Sequence, residues 1–108
     1  MLAAGRAAAA REKFTAAQGR LPESAEVRFN VGNVLVALGR GAEAIEAFRA
    51  AVRLRPEYGE AHYNLGVALS GAGQYGAALT EFETALWLVP ADESARRNVA
   101  ALRAYLRK

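Results

Sequence analysis

At 108 residues the chain is long enough for one domain and short for two. Its composition, 53% hydrophobic and 23% charged, is typical of a globular domain. No apolar run reaches 18 residues, so we predict no membrane insertion, and Arg6 and Arg11 interrupt the apolar core that a signal peptide would need. The absence of cysteine excludes disulfides and thiolate chemistry and gives no indication of the compartment. The abundance of alanine, and of arginine over lysine, is typical of a GC-rich bacterial source.

The formal net charge of +3 is spread unevenly along the chain. Residues 1–55 carry nine basic and five acidic side chains, residues 56–95 carry six acidic and no basic ones, and residues 96–108 carry five basic and no acidic ones. A partner, or a second copy of the chain, would be oriented by this polarity. The alternative is that these charges simply solvate outer helix faces, as most surface charges do.

The first predicted element is a helix from about Arg6 to Gln18. Its apolar residues recur at helical spacing: Ala7, Ala10, Phe14 and Ala17. Residues 1–4 are too few to form a stable helix before it, so this helix lacks a preceding partner. We expect a longer parent array, another molecule over that face, or a single amphipathic helix packed on one neighbour.

Two helices joined by about three residues are predicted between residues 25 and 58. The apolar residues of the first, which ends at Gly39–Gly41, are Val27, Val31, Val34, Leu35 and Leu38. Those of the second, which ends before Pro56, are Ala44, Ile45, Phe48, Ala51, Val52 and Leu54. So short a linker makes the helices antiparallel neighbours. We predict that Gly32 and Ala44 lie where their backbones approach closely and that Phe48 fills the space further along.

Residues 59–92 repeat this plan, with glycine-rich residues 71–76 predicted as the turn and Pro90 after the second helix. Leu86 and Leu88 are expected in the core. Trp87 and Val89 stand where the preceding hairpin has Arg53 and Arg55.

A last helix is predicted after Asp92, a good N-cap residue. One stripe of it is apolar: Ala95, Val99, Leu102 and Leu106. The opposite side is basic, which would solvate the end of a helical array. We expect no nucleic-acid or membrane-surface role for this helix, because its apolar stripe is needed to close the array.

A period of 34 residues relates the two hairpins. The sequence resembles the tetratricopeptide repeat, whose pattern is an aromatic residue, Leu-Gly, a second aromatic residue, Ala, Phe or Tyr, and Pro. This chain reads Arg28, Val31-Gly32, Leu35, Ala44, Phe48, Pro56, and then His62, Leu65-Gly66, Leu69, Ala78, Phe82, Pro90. Both aromatic positions differ, and the family commonly varies them. The resemblance implies an all-α solenoid, a right-handed superhelix of about six helices in one domain. Its parts would be residues 1–24 (second helix of a truncated repeat), 25–58 and 59–92 (complete repeats) and 93–108 (capping helix).

In that family the first helix of each repeat lines a concave groove that receives an extended peptide or a helix of a partner protein. The matching residues of this chain include Phe29, Asn30, Asn33, Tyr63, Asn64, Val67, Arg97 and Asn98. Asparagine recurs at the repeat period at Asn30, Asn64 and Asn98, and a carboxamide can bond both the N–H and the C=O of a peptide main chain. The alternative is that these residues only belong to the repeat pattern.

One subgroup of the family grips the C-terminal carboxylate of chaperone tails with cations and two asparagines. Asn33 and Asn64 match the asparagine positions, but Phe29, Ser94 and Asn98 stand where the cations belong. A carboxylate there would lose its hydration without a counter-charge, so we predict no chaperone-tail binding.

No residue pattern supports catalysis, a cofactor or a metal site, and we predict a non-enzyme. His62 is the sole histidine and is interpreted as a packed side chain facing the preceding helix. Glu81 and Glu83 are two residues apart and point to different helix faces. The glycine-rich turns follow helices and lack a phosphate-binding lysine.

Self-association is the alternative function. The N-terminal helix with Phe14, together with the run that contains Trp87 and Val89, would give apolar edges through which copies associate. Exposed tryptophans are frequent interface anchors. The competing interpretation is that Trp87 folds over the terminal helix.

Overall fold

A computed structural model describes residues 24–107, which form five α-helices and contain no strand. The helices are α1 (Ala25–Ala37), α2 (Gly41–Leu54), α3 (Gly59–Gly71), α4 (Tyr75–Leu88) and α5 (Glu93–Leu106). The predicted all-α array of helical hairpins is confirmed, and the helix predicted from Arg6 to Gln18 lies outside the described residues. None of the described helices is both long and apolar enough to cross a membrane.

The helices pack in chain order, each on the next, as α1–α2, α2–α3, α3–α4 and α4–α5. Three-residue turns join α1 to α2 and α3 to α4. Each turn has a glycine with positive φ, Gly39 at 76° and Gly73 at 81°. The N–H of Gly39 donates to the carbonyl of Val36, and the following N–H of Arg40 donates to that of Leu35. This is the Schellman pattern of helix ends. The first turn has the predicted three residues but ends before Gly41, which begins α2. The second is shorter than predicted, because Gly71 ends α3 and Gly76 lies inside α4.

Side-chain N-caps are found at α1 and α5. The hydroxyl of Ser24 accepts from the N–H of Val27 at 3.4 Å, and Oδ1 of Asp92 accepts from that of Ala95 at 3.0 Å. Each side chain satisfies one N–H that a helix start leaves without a partner. The cap predicted for Asp92 is therefore present.

A phenylalanine ring packs on a glycine at the centre of each hairpin. A β-carbon built on Gly66 would lie 2.9 Å from the ring of Phe82, and one on Gly32 would lie 2.5 Å from the ring of Phe48. Both rings are fully buried. Phe48, predicted to fill the space further along the hairpin, thus packs directly on Gly32. The close approach of the two backbones at Gly32 and Ala44 stays a prediction, and Ala44 is fully buried.

The core runs along the array and contains these buried residues: Ala44, Ile45, Phe48, Leu65, Leu69, Ala78, Phe82 and Val99. Of the two leucines of α4 expected in the core, Leu86 is half-buried and packs against the core cluster, whereas Leu88 is half-buried and is not part of it. The buried stripe of α4 is Ala78, Phe82 and Ala85. Leu86 is rotated about 100° from Ala85, and Leu88 is the last residue of the helix.

One apolar stripe of α1 is exposed among the described residues. Its members are Val27, Val31, Val34 and Leu38, with exposed fractions from 43% to 63%. Two residues of the corresponding stripe of α3, Ala61 and Leu65, are buried instead.

Candidate binding surface along the first helices

A carboxamide pair connects the first helices of the two hairpins. Nδ2 of Asn64 on α3 donates to Oδ1 of Asn33 on α1 at 2.8 Å. Asn33 is exposed and Asn64 half-buried. The helical geometry of the two hairpins therefore brings these predicted residues together.

A second polar contact continues from α3 to α5. Nδ2 of Asn98 donates to the hydroxyl oxygen of Tyr63 at 3.3 Å and to the carbonyl of Ser94, one turn earlier in α5, at 3.0 Å. The first-helix surface is defined here as Asn33, Tyr63, Asn64 and Asn98. It crosses α1, α3 and α5.

Aromatic residues of the first helices pack against buried rings of the second helices. The ring of Tyr63 meets that of Phe82 edge to face at a centroid distance of 5.3 Å. Phe29 packs against Phe48 at 5.9 Å and Tyr58 at 5.1 Å. Phe29 and Tyr63 are half-buried, so part of each ring anchors its helix and the remainder faces outward.

The other predicted groove residues lie beside this surface. Asn30 is exposed one turn before Asn33, Val67 is 46% exposed one turn after Asn64, and Arg97 is exposed next to Asn98. Among the residues that the structure describes, Arg97 has no ion-pair partner.

Tyr58, which the sequence analysis did not single out, packs its ring against that of Phe29. The guanidinium of Arg55 lies 4.6 Å from its ring centroid and 3.8 Å from the carboxylate of Glu26. Partial burial raises the pKa of the Tyr58 phenol above its ordinary value, the carboxylates of Glu26 and Glu60 add to the increase, and Arg55 opposes it. The aromatic position two residues after Pro56 was the available sequence signal.

Two of the three residues predicted for self-association lie at the end of α4, outside the first-helix surface. Trp87 is 79% exposed and Val89 47% exposed at the end of α4. The interpretation of Trp87 as packed over the terminal helix is therefore wrong. Phe14, the third residue of that prediction, lies outside the described residues.

His62 is buried, as predicted. Its Nδ1 lies 2.7 Å from Oε1 of Glu81 on α4, a contact that the sequence did not indicate, and its Nε2 lies 2.8 Å from the carbonyl of Pro56, just after α2. Glu83 bonds instead to Arg103 on α5 at 2.9 Å, so the two acids do lie on different faces. Within residues 24–107, no group of three His, Asp or Glu side chains is placed to hold a metal ion.

Two family models match the chain. One, described as a TPR repeat, matches residues 32–71, and another, described as a tetratricopeptide repeat, matches residues 59–88. No curated protein matches.

Similar solved structures share this fold. A structure titled as YrrB, a TPR protein with an unusual peptide-binding site, has a TM-score of 0.73 and 27% identity over 80% of this chain and 44% of its own. A MamA structure, residues 41 to the end, from Desulfovibrio magneticus RS-1 has a TM-score of 0.71 and 25% identity over 79% of this chain and 48% of its own. Another MamA structure, at 24% identity and a TM-score of 0.72 over 73% of this chain and 46% of its own, shows the same fold. The chain thus spans less than half the length of these proteins.

Proposed function

Because the chain belongs to the tetratricopeptide-repeat family, we propose that it is a protein-interaction module that binds an extended segment of another polypeptide along α1, α3 and α5. The observation that carries this proposal is the pair of bonds Asn64–Asn33 and Asn98–Tyr63, which align polar side chains across three successive first helices. The family consists generally of non-enzymatic scaffolds, and we propose binding without catalysis for this chain. A similar structure described as peptide-binding supports this class of ligand.

The unused hydrogen-bonding groups of the surface suit a peptide main chain. Oδ1 of Asn33 accepts from Asn64, which leaves the Nδ2 protons of Asn33 available as donors. Nδ2 of Asn98 is used twice, which leaves its Oδ1 as an acceptor, and Tyr63, whose oxygen accepts, keeps its own proton to donate. A peptide backbone presents donors and acceptors in alternation and would find both here.

The neighbouring side chains add contact area and charge. Val67 and the outer parts of Phe29 and Tyr63 offer apolar contact for alternate side chains of the ligand. Arg97 is an exposed cation beside the surface and would favour an acidic side chain near the α5 end. These groups would contribute specificity, whereas the carboxamides would contribute sequence-independent binding.

The test selects ligands from a phage library of random linear peptides and maps one selected peptide by amide chemical shifts. Binding should shift amides of α1, α3 and α5 and should weaken at least about tenfold in the double variant Asn33→Ala/Asn64→Ala. Thr80→Ala is the matched control, because Thr80 is exposed on α4 and its hydroxyl bonds only the carbonyl of Gly76 among the described residues. Peptides that bind the double variant as tightly as the wild type, or that shift the amides around Trp87 instead, contradict the proposal.

A second candidate function, assembly of copies of this chain, is favoured by the 79% exposure of Trp87. A tryptophan exposed to this degree next to the exposed Val89 is an apolar patch of the kind that a partner covers. At the equivalent positions of the preceding hairpin the chain has Arg53 and Arg55, whose charges favour contact with water rather than with a partner.

Sedimentation measures this alternative directly. If copies associate through this patch, the wild type sediments as an oligomer at high concentration and Trp87→Glu shifts it toward monomer. Arg53→Glu, at the equivalent exposed position of α2, should leave the distribution unchanged. A wild type that remains monomeric at high concentration rules the assembly out.

A further inference from the structure

The imidazole of His62 has a hydrogen-bond acceptor at each ring nitrogen. Nδ1 lies 2.7 Å from Oε1 of Glu81 on α4, and Nε2 lies 2.8 Å from the main-chain carbonyl of Pro56 before α3. His62 is 9% exposed, so water has little access to replace either partner. The ring thus joins α3, α4 and the connection between α2 and α3.

The carbonyl of Pro56 determines the proton on Nε2. A carbonyl oxygen only accepts, so Nε2 must carry a hydrogen and donate. The same contact recurs one repeat later, where the guanidinium of Arg96 donates to the carbonyl of Pro90. At that position an arginine is a permanent donor, whereas in α3 the donor is a group that titrates.

The carboxylate of Glu81 then requires a second proton. With Nε2 protonated, a neutral ring would turn the lone pair of Nδ1 toward the ionised carboxylate at 2.7 Å, and two acceptors would repel. The contact is favourable when Nδ1 carries a proton beside the carboxylate, or when the carboxyl group donates its proton to Nδ1. In both forms the ring and the carboxyl group together hold two protons.

We propose that His62, Glu81 and the carbonyl of Pro56 form a proton-dependent latch. The latch is closed when His62 and Glu81 together hold two protons and both ring nitrogens are hydrogen-bonded. It opens when one of these protons is lost to solvent and the contact between His62 and Glu81 becomes repulsive. The latch is independent of the proposed function, although His62 directly precedes Tyr63 and Asn64 on α3.

Other charged groups around the latch have their own partners or are exposed. On α4, Glu83 pairs with Arg103 of α5, and in the connection Arg55 contacts Glu26 and Tyr58. Exposed charged residues also lie on the adjoining elements: Glu57, Glu60, Glu43, Glu46, Arg49, Arg53, Glu93 and Arg96. The helix α2 contributes buried apolar residues, such as Ile45 and Phe48, to the core that it shares with α3. Among the described residues, Glu81 is therefore the ionic partner of His62.

The latch makes folding stability depend on pH with a defined sign. The closed form needs two protons on the pair, and loss of one leaves two acceptors facing each other, so proton binding favours the folded chain. Stability then falls as pH rises. A one-proton difference changes the unfolding equilibrium constant by up to about tenfold per pH unit.

The experiment measures urea unfolding of the wild type from about pH 5.5 to 8.5, where carboxyl groups stay ionised in unfolded chains. The unfolding equilibrium constant of the wild type should rise several-fold over this interval. In Glu81→Gln the amide N–H can donate to the lone pair of a neutral ring while Nε2–H still donates to Pro56, so the rise should largely disappear. Glu83→Gln is the control and should keep the wild-type pH dependence, because Glu83 bonds Arg103 instead.

A wild type whose stability is constant over the interval, or a Glu81→Gln variant that loses as much as the wild type, overturns the proposal. If Glu81→Gln does not fold, nuclear magnetic resonance of the wild type replaces it. At the acid end, both ring N–H protons of this sole histidine should exchange with water much more slowly than those of an exposed imidazolium. Rapid exchange of the Nδ1 proton would equally overturn the latch.

Discussion

The Asn64 side chain donates to the Asn33 side chain at 2.8 Å, which gives two consecutive first helices a shared polar contact near solvent. Water can replace this bond on the exposed side, so its net contribution to folding is small. We expect Asn64→Ala to lower the free energy of unfolding by less than about 1 kcal/mol while it weakens binding of a selected peptide. Urea unfolding and titration calorimetry measure the two effects separately. A destabilisation well above that value would mean that the pair is structural.

Gly66→Ala is expected to destabilise the protein by about 1–3 kcal/mol, since the new methyl group would lie 2.9 Å from the buried ring of Phe82. Gly76→Ala is the matched control. It also lies within a helix, but nothing occupies the space around its β-carbon, so higher helix propensity should stabilise it by up to about 1 kcal/mol. Thermal unfolding compares the two variants. Equal melting temperatures would show that the ring of Phe82 can move aside.

The fluorescence of Trp87 should resemble that of tryptophan in water, because 79% of the residue is exposed and the chain has no other tryptophan. Iodide should quench it readily in dilute solution. At high protein concentration, quenching that becomes weaker would indicate that a second copy covers the ring. A blue-shifted, protected emission from a demonstrated monomer would contradict the exposed position.

Asp92→Ala removes the side-chain acceptor for the N–H of Ala95 at the start of α5, which lies at 3.0 Å. We expect a loss of about 0.5–2 kcal/mol in the free energy of unfolding. Asp92→Ser retains a capping oxygen and should lose much less. Similar losses in both variants would indicate that the contribution comes from charge rather than from the cap.

The phenol of Tyr58 should titrate above its ordinary pKa of 10.0 in the folded protein, because partial burial and the acids Glu26 and Glu60 disfavour phenolate. A raised pKa contributes stability that is complete below the unfolded value and is lost as pH rises through the folded value. The ultraviolet difference titration of wild type minus Tyr58→Phe isolates this group from the other tyrosines. A midpoint at or below 10.0 would contradict the assigned environment.

Much of the fold follows from local sequence rules. Gly39 and Gly73 predict helix ends, because a left-handed residue is needed there. Phe48 and Phe82 predict the core, because each lies in a stripe of apolar residues at helical spacing. These features depend on neighbours within one hairpin. They can therefore be predicted from a single sequence.

The partner of His62 was not predictable in the same way. Glu81 lies 19 residues further along, and the equivalent position of the preceding hairpin is Ala47, so the period gives no indication of a bridge. The exposure of Trp87 was equally undetermined, because an indole satisfies a hydrophobic pattern whether it packs on α5 or faces solvent. The contact between His62 and Glu81 and the exposure of Trp87 both depend on how helices far apart in the sequence pack together.

The packing of each described helix on its neighbours in the chain has a kinetic consequence. Contacts that join residues close in sequence need little loop closure, so each hairpin can form early and the array can grow from it in either direction. Chains of this kind fold quickly for their size. Among the described helices, α5 packs mainly on α4 whereas α3 packs on both α2 and α4, so hydrogen exchange should be faster in α5 than in α3.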